Sequence, residues 1–99
     1  MVHYRPLATT PAVERDLALV LPAGVLAADV EAAMRHAAGP LLGATRVFDE
    51  YRDPRLAGRS VAWRLVFRAP DRTLRDEEVD AAVARVLGAL RSEFGIERR

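Results

Sequence analysis

Apolar residues follow two different periods along this chain, one typical of strands and one typical of helices. Residues 15–21 form a short apolar run that ends at a Pro-Ala-Gly sequence, which predicts a buried strand. Residues 59–68 alternate between apolar and polar or small side chains, which predicts a strand with one covered and one open face. The predicted covered face consists of Val61, Trp63, Leu65 and Phe67.

Two segments carry apolar residues at helical spacing. Residues 26–38 predict a first helix, ended by Gly-Pro, and residues 76–94 predict a second, ended by Gly95. Three acidic residues, 76–78, open the second helix, where they complement the helix dipole; this explains them more simply than a metal site does. Thr73 and Asp76 are the candidate N-terminal caps.

The remaining segments complete the order of elements. Residues 44–52 predict a second strand, the Asp53-Pro54 region a loop, and residues 96–98 a short last strand. Residues 1–14 are expected to be an extended lead-in. The order β-α-β-β-α-β predicts one α+β domain over residues 1–99, a ferredoxin-like plait whose four-stranded antiparallel sheet carries both helices on one face.

Composition narrows the class of protein. The chain has 99 residues, of which 51% are hydrophobic and 29% charged, as in a single globular domain. No apolar run approaches the length of a membrane span, and the first residues lack the apolar stretch of a signal peptide, so we expect a cytoplasmic protein without a membrane partner. The absence of cysteine excludes a disulfide scaffold and a thiol nucleophile.

All 15 basic residues are arginine, and the formal net charge is only +1. Arginine without lysine, beside 18 alanines, has a simple explanation in the codon usage of a GC-rich genome. The charge is uneven, however, because residues 46–75 hold 8 arginines and 4 acids. The middle third is therefore the basic region.

No constellation in the sequence predicts catalysis. His3 and His36 lack partners at ligand spacing, and Ser60 and Ser92 lack the surroundings of a nucleophile. The glycines form neither a phosphate loop nor a dinucleotide fingerprint. We therefore expect no catalytic centre, no metal and no cofactor.

The open sheet face is the better candidate for a site. Ser60 and Arg64 project from it on the third strand, and on the second strand Tyr51 and Asp49 share one parity, opposite Phe48. This parity predicts Phe48 in the core and Tyr51 on the open face. An exposed aromatic ring beside arginines is typical of proteins that bind unpaired bases. The alternative is a tyrosine that packs at the end of the sheet with its hydroxyl bonded locally.

The same topology occurs in the RRM class of RNA-binding domains, but the third strand lacks the glycine and the aromatic pattern of that class. Four other motifs, at residues 11–18, 48–51, 59–62 and 70–79, occur in order and at the expected spacing. Together they resemble the ferredoxin-fold anticodon-binding domain that ends the β subunit of bacterial phenylalanyl-tRNA synthetase. The resemblance extends from about Tyr4 to Arg98.

This resemblance implies a module that binds the anticodon stem-loop of tRNA(Phe), as an accessory part of the synthetase α/β assembly. It implies that Tyr51 stacks on the first anticodon base and that Ser60 forms a hydrogen bond in the same pocket. It implies that Arg98 contacts the anticodon loop, and it makes Asp49 a candidate for binding the edge of a guanine. We expect Arg64 to contact phosphates or bases.

Three positions depart from the family's pattern. Thr10 stands in place of an aromatic residue, Glu50 in place of an apolar one that would face inward, and Arg75 in place of a capping threonine. Two alternatives from the same fold remain open. One is a free-standing relative with another RNA target, and the other is a regulatory or dimerisation domain that binds no RNA.

Overall fold

The computed structural model describes residues 11–52 and 58–98. The first ten residues of the expected lead-in, the Asp53-Pro54 loop and Arg99 lie outside the described residues. The elements in chain order are β1 (Val13–Pro22), α1 (Ala27–Ala38), a 3₁₀ turn (Gly39–Leu41), β2 (Leu42–Arg52), β3 (Gly58–Phe67), α2 (Asp76–Phe94) and β4 (Glu97–Arg98).

The four strands form one sheet in the order β2-β3-β1-β4, and every neighbouring pair is antiparallel. The two helices pack against each other on one face of this sheet. The predicted ferredoxin-like plait is thereby confirmed. None of the described helices is long and apolar enough to cross a membrane.

The alternating pattern of β3 places the core. Val61, Trp63, Leu65 and Phe67 are all at most 2% exposed, and they face the buried stripes of both helices. The polar atom of Trp63 also has a partner: the indole Nε1 donates a hydrogen bond to Glu31 Oε2 of α1 at 2.8 Å. Burial of the indole therefore leaves no unsatisfied donor, and the prediction that Trp63 packs in the core is confirmed.

The predicted caps of α2 are wrong. The N-cap position is held by Arg75, whose backbone N–H donates to Glu78 Oε2 at 3.1 Å. Glu78 also accepts a hydrogen bond from Arg72. The guanidinium of Arg72 and, to a smaller extent, this backbone N–H hold the pKa of Glu78 below its ordinary value. The carboxylate of Glu78, the third residue of the helix, thus takes the capping role for which the sequence suggested Thr73 or Asp76.

The helices are also joined at the far end of α1. Arg85 of α2 donates from Nε to the carbonyl oxygen of Ala37 at 3.1 Å and from Nη2 to that of Ala38 at 3.3 Å. The last carbonyls of a helix lack partners within the helix, so this side chain satisfies two of them. These two hydrogen bonds join the helices, which pack together against one face of the sheet.

Gly58 lies at a close approach between β1 and β3. A Cβ at this position would lie 1.7 Å from the carbonyl oxygen of Leu21. We expect Gly58→Ala to lower the free energy of unfolding by about 1–3 kcal/mol, because backbone cannot yield as a flexible side chain does. Gly88→Ala is the matched control: it meets nothing within 4 Å on α2 and is expected to stabilise the domain by about 0.5–1 kcal/mol.

Urea denaturation followed by circular dichroism measures both changes. Equal stability of Gly58→Ala and the unmodified protein would contradict the close approach of the two strands.

Candidate nucleic-acid interface

The antiparallel register aligns four residues in a row across the open face at one end of the sheet. Tyr51 of β2 lies opposite Ser60 of β3, Ser60 opposite Val20 of β1, and Val20 opposite Glu97 of β4. Directly paired residues in an antiparallel sheet share a face, so Tyr51 and Ser60 are brought together as neighbours. Tyr51 is 51% exposed, and its predicted place on the open face agrees with this register.

Ser60 is only 5% exposed, in contrast to the tyrosine beside it. It also has an interaction partner in the folded chain. Ser60 is therefore a nearly covered residue at the floor of this surface, paired with the exposed Tyr51. A ligand lying on this row can reach Ser60 only through a small remaining area.

Asp49 lies in the next row, opposite Ala62 of β3, which in turn lies opposite Ala18 of β1. The small side chains of these two alanines leave the middle of the sheet low between the strands. Asp49 is exposed at the β2 end of the row. The structure thus places Asp49 about 7 Å along β2 from Tyr51, two residues away on the same face.

A β-bulge in β2 changes the expected position of Phe48. Val47 pairs with Trp63 and Asp49 with Ala62, so Phe48 has no partner across the strands. Phe48 is 45% exposed, and its ring lies 4.8 Å from the Arg64 guanidinium carbon. The prediction of Phe48 in the core is wrong, because simple alternation allows only one of Phe48 and Tyr51 on the open face, whereas the extra residue of a bulge allows both.

Arg64 occupies the third row, where it is bound within the domain. Its Nε and Nη2 donate to Asp16 Oδ1 and Oδ2 at 2.9 and 3.0 Å, and its Nε lies 3.7 Å from Glu14 Oε1. The side-chain hydrogen bonds from Arg64 hold the pKa of Asp16 below its ordinary value, and desolvation opposes them. Arg64 is thus a planar group held in a fixed position, and two of its N–H groups already donate to a carboxylate.

Arg98 lies apart from these residues. It pairs with Leu19, whose side chain lies in the core, so its register position belongs to the helix side of the sheet. There it lines a shallow groove of about 330 Å³ between α2 and β4, together with Leu87 and Arg91. Arg98 is near the row of Tyr51 only in the sense that it lies at the same end of the sheet, next to Glu97.

The basic middle of the chain is partly neutralised by neighbouring acids. Arg59 illustrates this, because its Nε lies 3.1 Å from Glu50 Oε2 while its Nη2 donates to the carbonyl oxygen of Val25. Glu50 therefore faces the helix side, as expected, but reaches solvent and a cation there. Arg46 and Arg52, both exposed on β2, have no side-chain partner among residues 11–52 and 58–98.

Two residues of this surface were missed by the sequence analysis. Asp16 binds Arg64 from a strand 48 positions earlier in the chain, and no local pattern reveals such a pair. The sequence did contain an indication that Phe48 is exposed, because two aromatic residues of opposite parity, Phe48 and Tyr51, lie within four positions of one strand. Such a conflict is resolved either by burying one ring or by a bulge.

One known protein family matches almost the whole chain, including both strands of this surface. The model of the family described as "Ferredoxin-fold anticodon binding domain" matches residues 8–99. The chain belongs to this family. This member of the ferredoxin-fold anticodon-binding domain family has both the plait and the exposed surface of β2 and β3 within the matched residues.

The curated relatives that this domain resembles are much longer proteins. It is 45% identical to the phenylalanine–tRNA ligase beta subunit of Synechococcus sp. (strain JA-3-3Ab), over 100% of this chain and 12% of the relative. It is 48% identical to the same subunit of Moorella thermoacetica, over 98% of this chain and 12% of the relative. The domain therefore spans about 12% of the length of the relatives that it matches.

The Asp16–Arg64 pair generates a prediction on titration. Arg64→Met removes the hydrogen bonds that lower the pKa of Asp16, so we expect that pKa to rise toward its ordinary value. Because the folded-state pKa is the depressed one, the pair stabilises the fold above the unfolded-state pKa, and this contribution disappears as the pH falls through the folded-state pKa. The stability difference between Arg64→Met and the unmodified protein should therefore shrink in acid.

Side-chain carboxyl shifts in an NMR titration measure this pKa. Glu78 is the internal control, because its own pKa is lowered by Arg72 and Arg75 at the start of α2 and not by Arg64. A pKa of Asp16 that is equal in the two proteins would contradict the bidentate pair.

Proposed function

We propose that this domain is the anticodon-binding module of a phenylalanine–tRNA ligase, and that it binds the anticodon stem-loop of tRNA(Phe) on its open sheet face. The observation that carries the proposal is the cross-strand row that joins the exposed ring of Tyr51 to Ser60. Aromatic rings exposed on a sheet stack on unpaired bases, and neighbouring polar atoms bind base edges. The family to which the chain belongs supports this use of the surface.

The environment of Tyr51 favours stacking over local packing. About half of the residue is exposed, at 51%, and none of the described residues holds its hydroxyl by a hydrogen bond. A tyrosine that closes the end of a sheet would instead bury its ring and bond its hydroxyl to the nearby backbone. We therefore assign Tyr51 as the residue that stacks on the first anticodon base.

The neighbours of Tyr51 have separate parts in the proposal. Ser60 contributes a hydrogen bond at the floor, limited by its small exposed area. Asp49 is placed two residues away on the same face, and its carboxylate can accept both N–H groups on the Watson–Crick edge of a guanine. Arg98 contacts the anticodon loop from the edge of the sheet, and Arg64 contacts phosphates or bases in the third row.

The relatives are much longer than this domain, which supports the proposal that it is part of a larger enzyme. We propose that the chain has an accessory role without a catalytic centre, and that its partners are the remaining parts of the ligase α/β assembly as well as tRNA(Phe). A second contact between tRNA and enzyme elsewhere would raise the effective concentration of the anticodon at this surface. A modest affinity of the separate domain is compatible with that arrangement.

Replacement of the stacking ring tests the proposal. Tyr51→Ala should weaken binding of the tRNA(Phe) anticodon stem-loop about 5- to 150-fold, since stacking on an aromatic side chain is worth about 1–3 kcal/mol per base. Tyr51→Phe should bind almost normally, because it keeps the ring. Fluorescence anisotropy with a labelled stem-loop measures both affinities.

The matched control is Leu26→Ala, which removes an exposed apolar side chain, 62% exposed, at the start of α1. It should leave the affinity unchanged. Identical binding by Tyr51→Ala and the unmodified protein would refute the stacking role. A tight dimer in light scattering, without any affinity for the RNA, would favour the regulatory alternative.

Salt dependence provides a further prediction for the same complex. Because several arginines of the basic region are paired with carboxylates, we expect few phosphates to be neutralised. The logarithm of the association constant should then fall with the logarithm of salt concentration with a slope of about −1 to −3. A much steeper slope, shared by a hairpin of unrelated sequence, would indicate nonspecific binding of RNA instead.

A further inference from the structure

Packing in the core does not explain why Phe48 is exposed. The bulge turns its ring toward the open face, where it remains 45% exposed. The Arg64 guanidinium lies over one face of the ring, with 4.8 Å between the guanidinium carbon and the ring centre. The ring is thus supported on one side, and a large part of the residue still faces solvent.

The support is itself held in place. Asp16 binds both Nε and Nη2 of Arg64, at 2.9 and 3.0 Å, which orients the guanidinium by two parallel hydrogen bonds. A guanidinium that is oriented in advance loses less conformational freedom when a ligand arrives. Phe48 of the edge strand β2 and Arg64 of the central strand β3 therefore form an ordered flat element on the open face.

We propose that Phe48, supported by Arg64, is a second position at which a nucleobase stacks on this face. The inference rests on the proposed function, since it needs RNA bound at the first position. It adds a base contact at Phe48, a residue that the expected site does not include.

The spacing along β2 fits two bases that are separated from each other. Phe48 and Tyr51 are three residues apart, which corresponds to about 10 Å along a strand. Consecutive bases stacked on each other are only about 3.4 Å apart, so the two rings suit bases that are splayed out of the loop. Asp49, between the two rings, provides a hydrogen-bond acceptor to either base.

A nucleobase fits this element better than a protein segment does. The row beside it consists of Ala62 and Ala18, whose small side chains leave a low surface on which a planar group can lie. The available ring and guanidinium are both planar, and planar groups stack on bases irrespective of their sequence. Arg46 lies opposite Arg64 in the third row, is exposed, and has no side-chain partner among residues 11–52 and 58–98, so it can contact the phosphate of such a nucleotide.

A fluorescent reporter at this position tests the inference directly. In Phe48→Trp, addition of the tRNA(Phe) anticodon stem-loop should quench tryptophan emission, because a base stacks on the indole. The unmodified protein is the control, since its one tryptophan, Trp63, is fully buried and hydrogen-bonded to Glu31. Its emission should not respond to the RNA.

Affinity measurements with two further variants separate stacking from packing. Phe48→Leu keeps an apolar side chain without a ring and should bind the stem-loop at least about fivefold more weakly. Phe48→Tyr keeps the ring and should bind within twofold of the unmodified protein. Thermal unfolding of each variant verifies that the edge strand is intact, and the leucine variant serves if the tryptophan variant does not fold.

The outcomes distinguish this inference from the proposed function. Binding by Phe48→Trp without quenching, or equal affinity of Phe48→Leu and the unmodified protein, would overturn the second stacking position while Tyr51→Ala still weakens binding. Absence of any binding by the unmodified protein would instead overturn the proposed function, and the second position with it.

Discussion

The structure depends on the central strand β3, whose successive side chains point to two different faces of the sheet. One face of the strand carries Trp63 and its neighbours into a core that excludes water, while the other carries Arg64 to the open surface and holds Ser60 nearly covered beside Tyr51. Because β3 is bonded to both β1 and β2, its register determines which residues of these strands share a face. The core and the candidate site are therefore two sides of a single alignment.

The candidate surface combines exposed rings with charges that are largely compensated. Arg64 is bound to Asp16 and Arg59 to Glu50, so the positive charge of the basic region is divided between internal pairs and a few exposed groups such as Arg46. Such an arrangement favours contacts at short range over a broad attractive field. It is suited to a ligand that is recognised by the shape and edges of its bases.

The elements that follow from local periods were predictable, and the features that depend on pairing between strands were not. The bounds of α2 follow from its apolar stripe, its acidic first turn and Gly95, and the structure has the same bounds. The exposure of Tyr51 was predicted from parity. The exposure of Phe48 was not, because a bulge is determined by the alignment of β2 on β3, and the partner of Arg64 lies on a strand distant in sequence.

The bulge in β2 also bears on how this surface can change during evolution. Residue types along the outer half of β2 can be exchanged while the strand continues to present the same positions to the ligand. A change of length by one residue between the bulge and Tyr51 would instead turn the ring to the helix side, because side-chain direction reverses at each step. The surface is therefore tolerant of substitution but sensitive to insertion and deletion, so variation in binding preference should arise by exchange of side chains on a strand of constant length.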